Sequence, residues 1–407
     1  WEQKMDASYG KNSNSNVQGI LSLNYQFNEK HSMGVRYDMD KYFNSSGDWR
    51  YTANIYADQE LYENNASTMI GEDPSTRHSL NYYYNGQIGD WNIDFNADGL
   101  WNVKEESQHT REITNGETEN NVNTFNKNNG TLYATKLIVS YPLWKGNLSF
   151  GGEYSHTSRT NLYHNQEGIL DNDDSKIKEG STAAFMDYSH SFGKVDVQAG
   201  VRYENVKFDY YEQGKHIDEQ SRTFNNVFPS VNINFPIGKT QIQLSYSGGI
   251  TRPSYDMLRG NIYYGNRYTY QTGNPFLKPI INQDLIFSAS YKWVNFSFTY
   301  NRTKDDIIQV CEPYSEADPT ISLLKTVNTE PYNNIISAIT LSPTISWWSP
   351  QLTAQVFKQW LHAEGPDGKL TLSKPRTIIV WRNSFTLPAG FLFDVDGTYY
   401  TKGHSQN

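Results

Sequence analysis

Cysteine occurs once in the 407 residues, as Cys311. A disulfide within the chain is therefore impossible, and no cysteine-rich metal site can form. Long apolar runs are also missing, since no stretch approaches the roughly 18 residues that a membrane-spanning helix needs. Positive charge is in deficit: Lys and Arg number 35 against 44 Asp and Glu, for a net charge of −9. That balance argues against a nucleic-acid partner, which requires a basic patch. The nine histidines stand singly, with no close-spaced His/Asp/Glu set. The sequence thus offers no metal ligands, no cofactor site and no catalytic constellation, and an enzyme is not expected. Asp171-Asn172-Asp173-Asp174 lacks the spaced acids and terminal Glu of a calcium loop and reads as a solvated loop. Gly151-Gly152 and Gly248-Gly249 precede no helix, so a strand bend or bulge suits them better than a phosphate cradle.

Aromatic rings are what the chain has in quantity. Tyr 30, Phe 19 and Trp 10 make it 14% aromatic, yet its mean hydropathy is −0.72. Disordered chains are poor in aromatics, and soluble globular chains are typically less polar. A chain polar on one side, apolar on the other and edged with rings fits a membrane barrel with a watery lumen.

Alternation carries that reading. Val17, Gly19, Leu21, Leu23, Tyr25 and Phe27 interleave with Gln18, Ser22, Asn24 and Gln26. Trp91, Ile93, Phe95 and Ala97 interleave with Asn92, Asp94, Asn96 and Asp98. Val195, Val197, Ala199, Val201 and Tyr203 interleave with Asp196, Gln198, Arg202 and Glu204. A side-chain period of two means a half-buried strand. A soluble sandwich would alternate too, but its strands are mostly about 5–6 residues long. Several here run to ten or more and carry full charges in mid-strand, as tilted strands around water do.

Short links and long polar segments take turns along the chain. The short ones are Asn28–Lys30, Asn85–Asp90, Pro142–Gly146, Phe192–Lys194, Pro236–Lys239, Lys292–Val294, Trp348–Pro350 and Pro388–Gly390. The long ones are 41–75, 105–129, 161–179, 212–221, 251–280, 313–333 and 363–374, with a hairpin expected at 49–60. Short periplasmic turns alternating with long outer loops define an up-and-down transmembrane barrel, with about 17 strands by this count. The Asn runs 12–16 and 120–129 read as outer loops. Asn115-Gly116, Asp171–Asp174 and Pro366-Asp367-Gly368 should lie outside the cell, and Gly89 and Gly193 in the periplasm. Tyr25, Phe27, Tyr141, Trp144, Trp293, Trp347, Trp348 and Phe391 gather at the short-turn ends, where a girdle of interfacial rings belongs. Plain core aromatics are the blander reading.

One segment stands apart. Thr251-Arg252-Pro253-Ser254-Tyr255 opens a stretch of Tyr, Arg and Gly that closes on Gly273-Asn274-Pro275-Phe276-Leu277-Lys278-Pro279. This pair of elements resembles the long outer loop in barrels of TonB-dependent receptors, and more specifically the outer-membrane β-barrel family abundant in Bacteroidetes. Tyr82–Trp91 and Gly397–Asn407 are similar to other segments of that family. The resemblance implies an all-β barrel of roughly 22 strands around an N-terminal plug, in the outer membrane of a Gram-negative cell. On that count residues 1–407 are a single barrel domain truncated at both ends, without plug or signal peptide. Its implied work is uptake of a scarce solute, such as a siderophore or glycan. Its implied partners are outer-membrane lipid, the small solute, and the TonB complex through the missing N-terminal region. A passive porin or a surface-binding outer-membrane protein is the alternative.

Two residue sets follow. Arg252, Tyr255, Arg259, Tyr263, Tyr264, Arg267 and Tyr268 are candidates for holding the solute, because Arg and Tyr offer donors and flat apolar faces. Bracing the loop is the competing role, and Pro and Gly of the two elements are assigned to it. Arg36, Asp94, Asp98, Asp196, Arg202 and Glu204 should line the lumen, with Asp38, Asp394 and Asp396. In a receptor they would face the plug, and in a porin they would tune ion selectivity.

Overall fold

Residues 2–365 and 368–404 are described by the computed structural model, and alternation becomes strand geometry along most of them. Nineteen strand pieces join into one sheet, antiparallel between neighbours. Some pieces belong to a single run. Glu2–Tyr9 and Ser13–Asn28 lie end to end along one side of His31–Ala57, and Glu60–Glu72 and Ser75–Ile88 do the same on its other side. Lys215–His216 is only a hairpin tip against Val195–Glu212. Joined in this way, the nineteen pieces make sixteen runs, one fewer than the about 17 expected from the period. Among the described residues the only helices are two three-residue 3-10 turns, and no helix is long and apolar enough to cross a membrane.

Register shows which way each side chain points, because residues directly opposite in a sheet share a face. From Ile242 the partners run through Ala289, Phe296, Ile339 and Ala354 to Ile379, apolar at each of six strands. Phe296, Ile339 and Ile379 are exposed, as are Val201 and Leu137 in other strands. Apolar surface on that scale would be costly in water and is stable against lipid. The opposite face is polar. From Val206 the partners run through Ser181, Ser155, Ala134, Asp98 and Asn81 to Arg36. Arg36, Asp98 and Glu204 therefore share one face across seven strands, with Asp94 and Asp196 on it by parity.

Several runs are far longer than a membrane requires. His31–Ala57, Trp91–Thr114 and Thr118–Leu143 contain 27, 24 and 26 residues, whereas a tilted spanning strand needs about 9–11. The barrel wall consequently stands well above the bilayer. This corrects the reading of 41–75, 105–129, 12–16 and 120–129 as loops. The hairpin at its Asp58-Gln59 turn continues two spanning strands, and Asn120–Asn129 is a regular ladder partner of Trp91–Thr114. Above the membrane both faces of a strand meet water, so polar residues replace the apolar row and the alternation fades. The ladder of backbone hydrogen bonds continues unaltered.

Short turns mark the other end. Trp144 and Lys145 both take positive φ, 50° and 64°, which is the two-residue turn whose twist matches a hairpin. Tyr25, Phe27, Trp144, Trp293, Trp347 and Phe391 are all exposed around this rim, as a girdle requires. The link expected at Trp348–Pro350 lies earlier, because Trp348 already begins a strand and closes a turn on Ile345 through two backbone hydrogen bonds of 2.8 and 3.0 Å. The Gly151-Gly152 and Gly248-Gly249 pairs hold regular register, with no bulge. In the large sheet bulges occur instead at Phe27, Phe43 and Tyr62, each an extra residue opposite its partner strand. Phe43 has a large effect: below it Val35 and Tyr37 are exposed, whereas above it Ala53 and Ile55 are buried. One inserted residue exchanges the two faces of the strand.

Candidate solute site in the barrel mouth

Segment 251–280 folds back inside the raised wall. Its side chains touch strands spread widely across the sheet, which only the concave face allows. Leu258 and Leu277 pack with Ile177, Phe208 and Tyr210. Tyr264 and Tyr270 pack with Val122 and Leu170, and Tyr268 with Ala53 and Ile55. These wall residues lie on the face of Glu204 and of the upper His31–Ala57 strand, so that face is the lumen. The polar faces of the spanning strands and the buried face of the wall form one continuous inner surface.

The two sequence elements at the ends of the loop act as braces. Arg252 forms a close ion pair with Glu204 and lies 3.7 Å from Glu179. Glu204 also accepts from Arg202 at 2.8 Å, and Arg202 reaches Glu153 at 3.3 Å. At the other end the Asn274 backbone N–H donates to the Met257 carbonyl at 2.6 Å, and its side-chain amide donates to the Thr326 carbonyl at 3.0 Å. A Cβ on Gly273 would fall 2.5 Å from the Arg259 carbonyl oxygen, so only glycine fits. Arg222 donates to the carbonyls of Pro275 and Phe276. Lys278 and Asn328 exchange hydrogen bonds of 2.8 and 3.0 Å. Thr269–Thr272 also pairs in parallel with part of Ser322–Asn328. The segments 251–280 and 307–328 are thus one body, with a small four-stranded sheet at its centre.

The candidate solute residues divide into two groups. Arg259, Tyr263 and Tyr264 line a cavity of about 660 Å³ between the loop and the wall. Arg259 stacks on Tyr263 at 4.1 Å from the ring centre, and Tyr163 meets Tyr263 edge-on at 4.8 Å. Burial pushes the hydroxyl of Tyr263 up to about 12, and that of Tyr163 to about 12 as well. Arg252, Tyr255, Arg267 and Tyr268 do not line the cavity. Tyr255 is held under Arg159, Arg267 faces Glu63 at 3.9 Å, and Tyr268 is buried. These four pack or tie the loop to its surroundings. Tyr264 lines the cavity and ties the loop to the wall as well, since its hydroxyl donates to Glu112 at 2.6 Å.

Sequence reasoning missed the wall's share of the site: Glu106, Gln108, Glu112, Asn126 and Tyr163. They lie in stretches taken for loops. The available signal was the alternation of Gln108, Thr110 and Glu112 with His109 and Arg111, which is strand-like even though no member is apolar. Among the lumen charges, Arg36 pairs with Asp38 at 2.8 Å. Asp94 accepts from Asn96, Asp98 from Asn81 and Asp196 from Ser191, at 2.6, 2.7 and 2.6 Å. The 366–367 loop tip and residues 405–407 of the Gly397–Asn407 segment lie outside the described residues.

Sheet, girdle, raised wall and inward loop together define an outer-membrane β-barrel. The chain belongs to the outer membrane protein beta-barrel family, whose pattern matches residues 86–407, and its place is the outer membrane. Two solved structures with similar folds are the FrpB iron transporter of Neisseria meningitidis (F3-3 variant) and the outer membrane transporter YddB of Escherichia coli. FrpB is 13% identical with a TM-score of 0.52, over 98% of this chain and 69% of its own. YddB is 12% identical with a TM-score of 0.52, over 95% of this chain and 63% of its own. A comparison with curated proteins yields no match.

Proposed function

We propose that this chain is the barrel of a TonB-dependent outer-membrane receptor, and not an enzyme, that captures a scarce solute at the cell surface and admits it to the periplasm. The observation that carries the reading is the 251–280 loop, folded into the mouth and enclosing a cavity of about 660 Å³ against the wall. A cavity of that size suits a small molecule, whereas an open pore would not need one. The resemblance of the paired Thr251–Tyr255 and Gly273–Pro279 elements to such receptors, and the barrel shared with transporters such as FrpB and YddB, support it. Energy coupling in such a receptor requires a plug and a TonB-contacting segment in addition to the barrel. The test is retention of the full-length protein on an immobilised periplasmic domain of TonB from the same cell. Specific retention is expected. No retention, together with steady ion conductance of the reconstituted protein, would establish a passive porin instead.

A further inference from the structure

From the chemistry of the cavity we infer that its solute is an uncharged, hydroxyl-rich molecule of the carbohydrate class; this rests on the receptor reading above. Charge is the first argument. Among the described residues Arg259 is the only cation lining the cavity, and its guanidinium is already occupied: it stacks on Tyr263, lies 4.0 Å from Asp256 and donates to Asn161 at 3.4 Å. Asp256 is paired in turn with Arg159 at 2.7 Å, and Glu106 lies 4.0 Å from Lys104. An anionic chelate would find no free cation here to offset its charge, and the half-exposed carboxylates of Asp256 and Glu106 would add a weak, solvent-screened repulsion.

Unsatisfied acceptors are the second argument. Asn126 is 5% exposed, and its side-chain amide donates to Glu106 while its carbonyl oxygen is buried without a hydrogen-bond partner. The Thr326 hydroxyl, on the loop side of the same cavity, is also buried and unpartnered. A buried acceptor left empty costs about 1–3 kcal/mol, so both positions suit a ligand that brings O–H donors. Gln108, Gln271 and Gln309 add amides that donate and accept at once, as vicinal hydroxyls require. The third argument is shape. Tyr51, Tyr163, Tyr263 and Tyr264 border the same space, and tyrosine pairs an apolar ring with a hydroxyl, a combination that suits a pyranose as it would not suit a fully hydrated ion.

The experiment applies purified full-length protein to an array of neutral oligosaccharides from plant, fungal and animal sources, and separately to an anionic ferric tris-catecholate. Binding to at least one neutral oligosaccharide is expected, weakened about tenfold or more by Tyr263→Ala and by Thr326→Val. Both variants should keep the heat-resistant gel mobility of the folded barrel; a variant that loses it is replaced by Asn126→Leu. Binding of no neutral oligosaccharide, binding unaltered in the variants, or preference for the ferric chelate would each overturn the inference. If the wild type is still retained by the TonB domain in that case, the receptor reading survives and only the solute class fails.

Discussion

The hydroxyl of Tyr264 donates to the carboxylate of Glu112 at 2.6 Å, joining the tip of the inward loop to the raised wall 152 residues away in sequence. Glu112 is 1% exposed, and its other oxygen accepts the backbone N–H of Arg267 at 2.8 Å and the hydroxyl of Ser67 at 3.3 Å. One buried carboxylate thus holds both limbs of the turn at 264–267.

Breaking that contact should free the loop without unfolding the barrel. A hydrogen bond to a charged group contributes about 1.5–3 kcal/mol, so Tyr264→Phe should loosen the tip by an amount in that range. Limited trypsin digestion of full-length protein in membranes should then cut after Arg259 and Arg267 many times faster, with heat-resistant gel mobility unchanged. Equal cutting rates in variant and wild type would show that the packing of Tyr264 on Val122 and Tyr270 suffices alone.

The loop should also loosen in alkali. Burial raises the Tyr263 and Tyr163 hydroxyls to about 12, above the ordinary phenol value near 10. A raised folded-state value means that the folded loop holds its protons more tightly than the open one. The associated stability is complete below about pH 10 and declines as pH rises from 10 through 12. Trypsin sensitivity measured across that window should rise in wild type and rise less in Tyr163→Phe with Tyr263→Phe. A flat profile in wild type would contradict the burial of these phenols.

Face assignments predict unequal costs for neighbouring charges. Val201→Arg on the lipid side should cost ~2–4 kcal/mol near mid-membrane, while Gln198→Arg on the lumen side should cost far less. Equilibrium refolding into bilayers measures both. Comparable losses would mean that the register of this strand is shifted by one residue.

Topology can be read by labelling. With the exposed Cys311 replaced, a cysteine at position 172 in full-length protein on intact cells should react with an impermeant maleimide. One at position 193 should react only after the outer membrane is opened. The reverse pattern would invert the barrel.

Deleting Phe43 should remove the bulge and leave Ala53 and Ile55 facing inward, because the residues on either side keep their partners once the extra one is gone. The Tyr268 contact and the trypsin resistance of the loop should therefore be retained. Faster digestion would show that the strand above position 43 had slipped by one residue and turned its other face inward.

The sequence by itself determined the barrel class and the orientation of its spanning strands, because lipid on one side and water on the other impress a period of two on every such strand. Val195, Val197 and Val201 against Asp196, Arg202 and Glu204 was enough to orient one of them. It also marked the 251–280 segment as distinct, through Arg252, Gly273 and the prolines whose backbone demands are local. Only the tertiary structure decided the height of the wall, the face exchange at Phe43, and which loop residues line a cavity. Above the membrane no apolar medium imposes a pattern, so Asn120–Asn129 carries no sign of the strand it forms. Arg259 and Arg267 are alike in sequence; one borders the cavity and the other faces Glu63, because Glu112, Tyr163 and Asn161 arrive from strands distant in the chain.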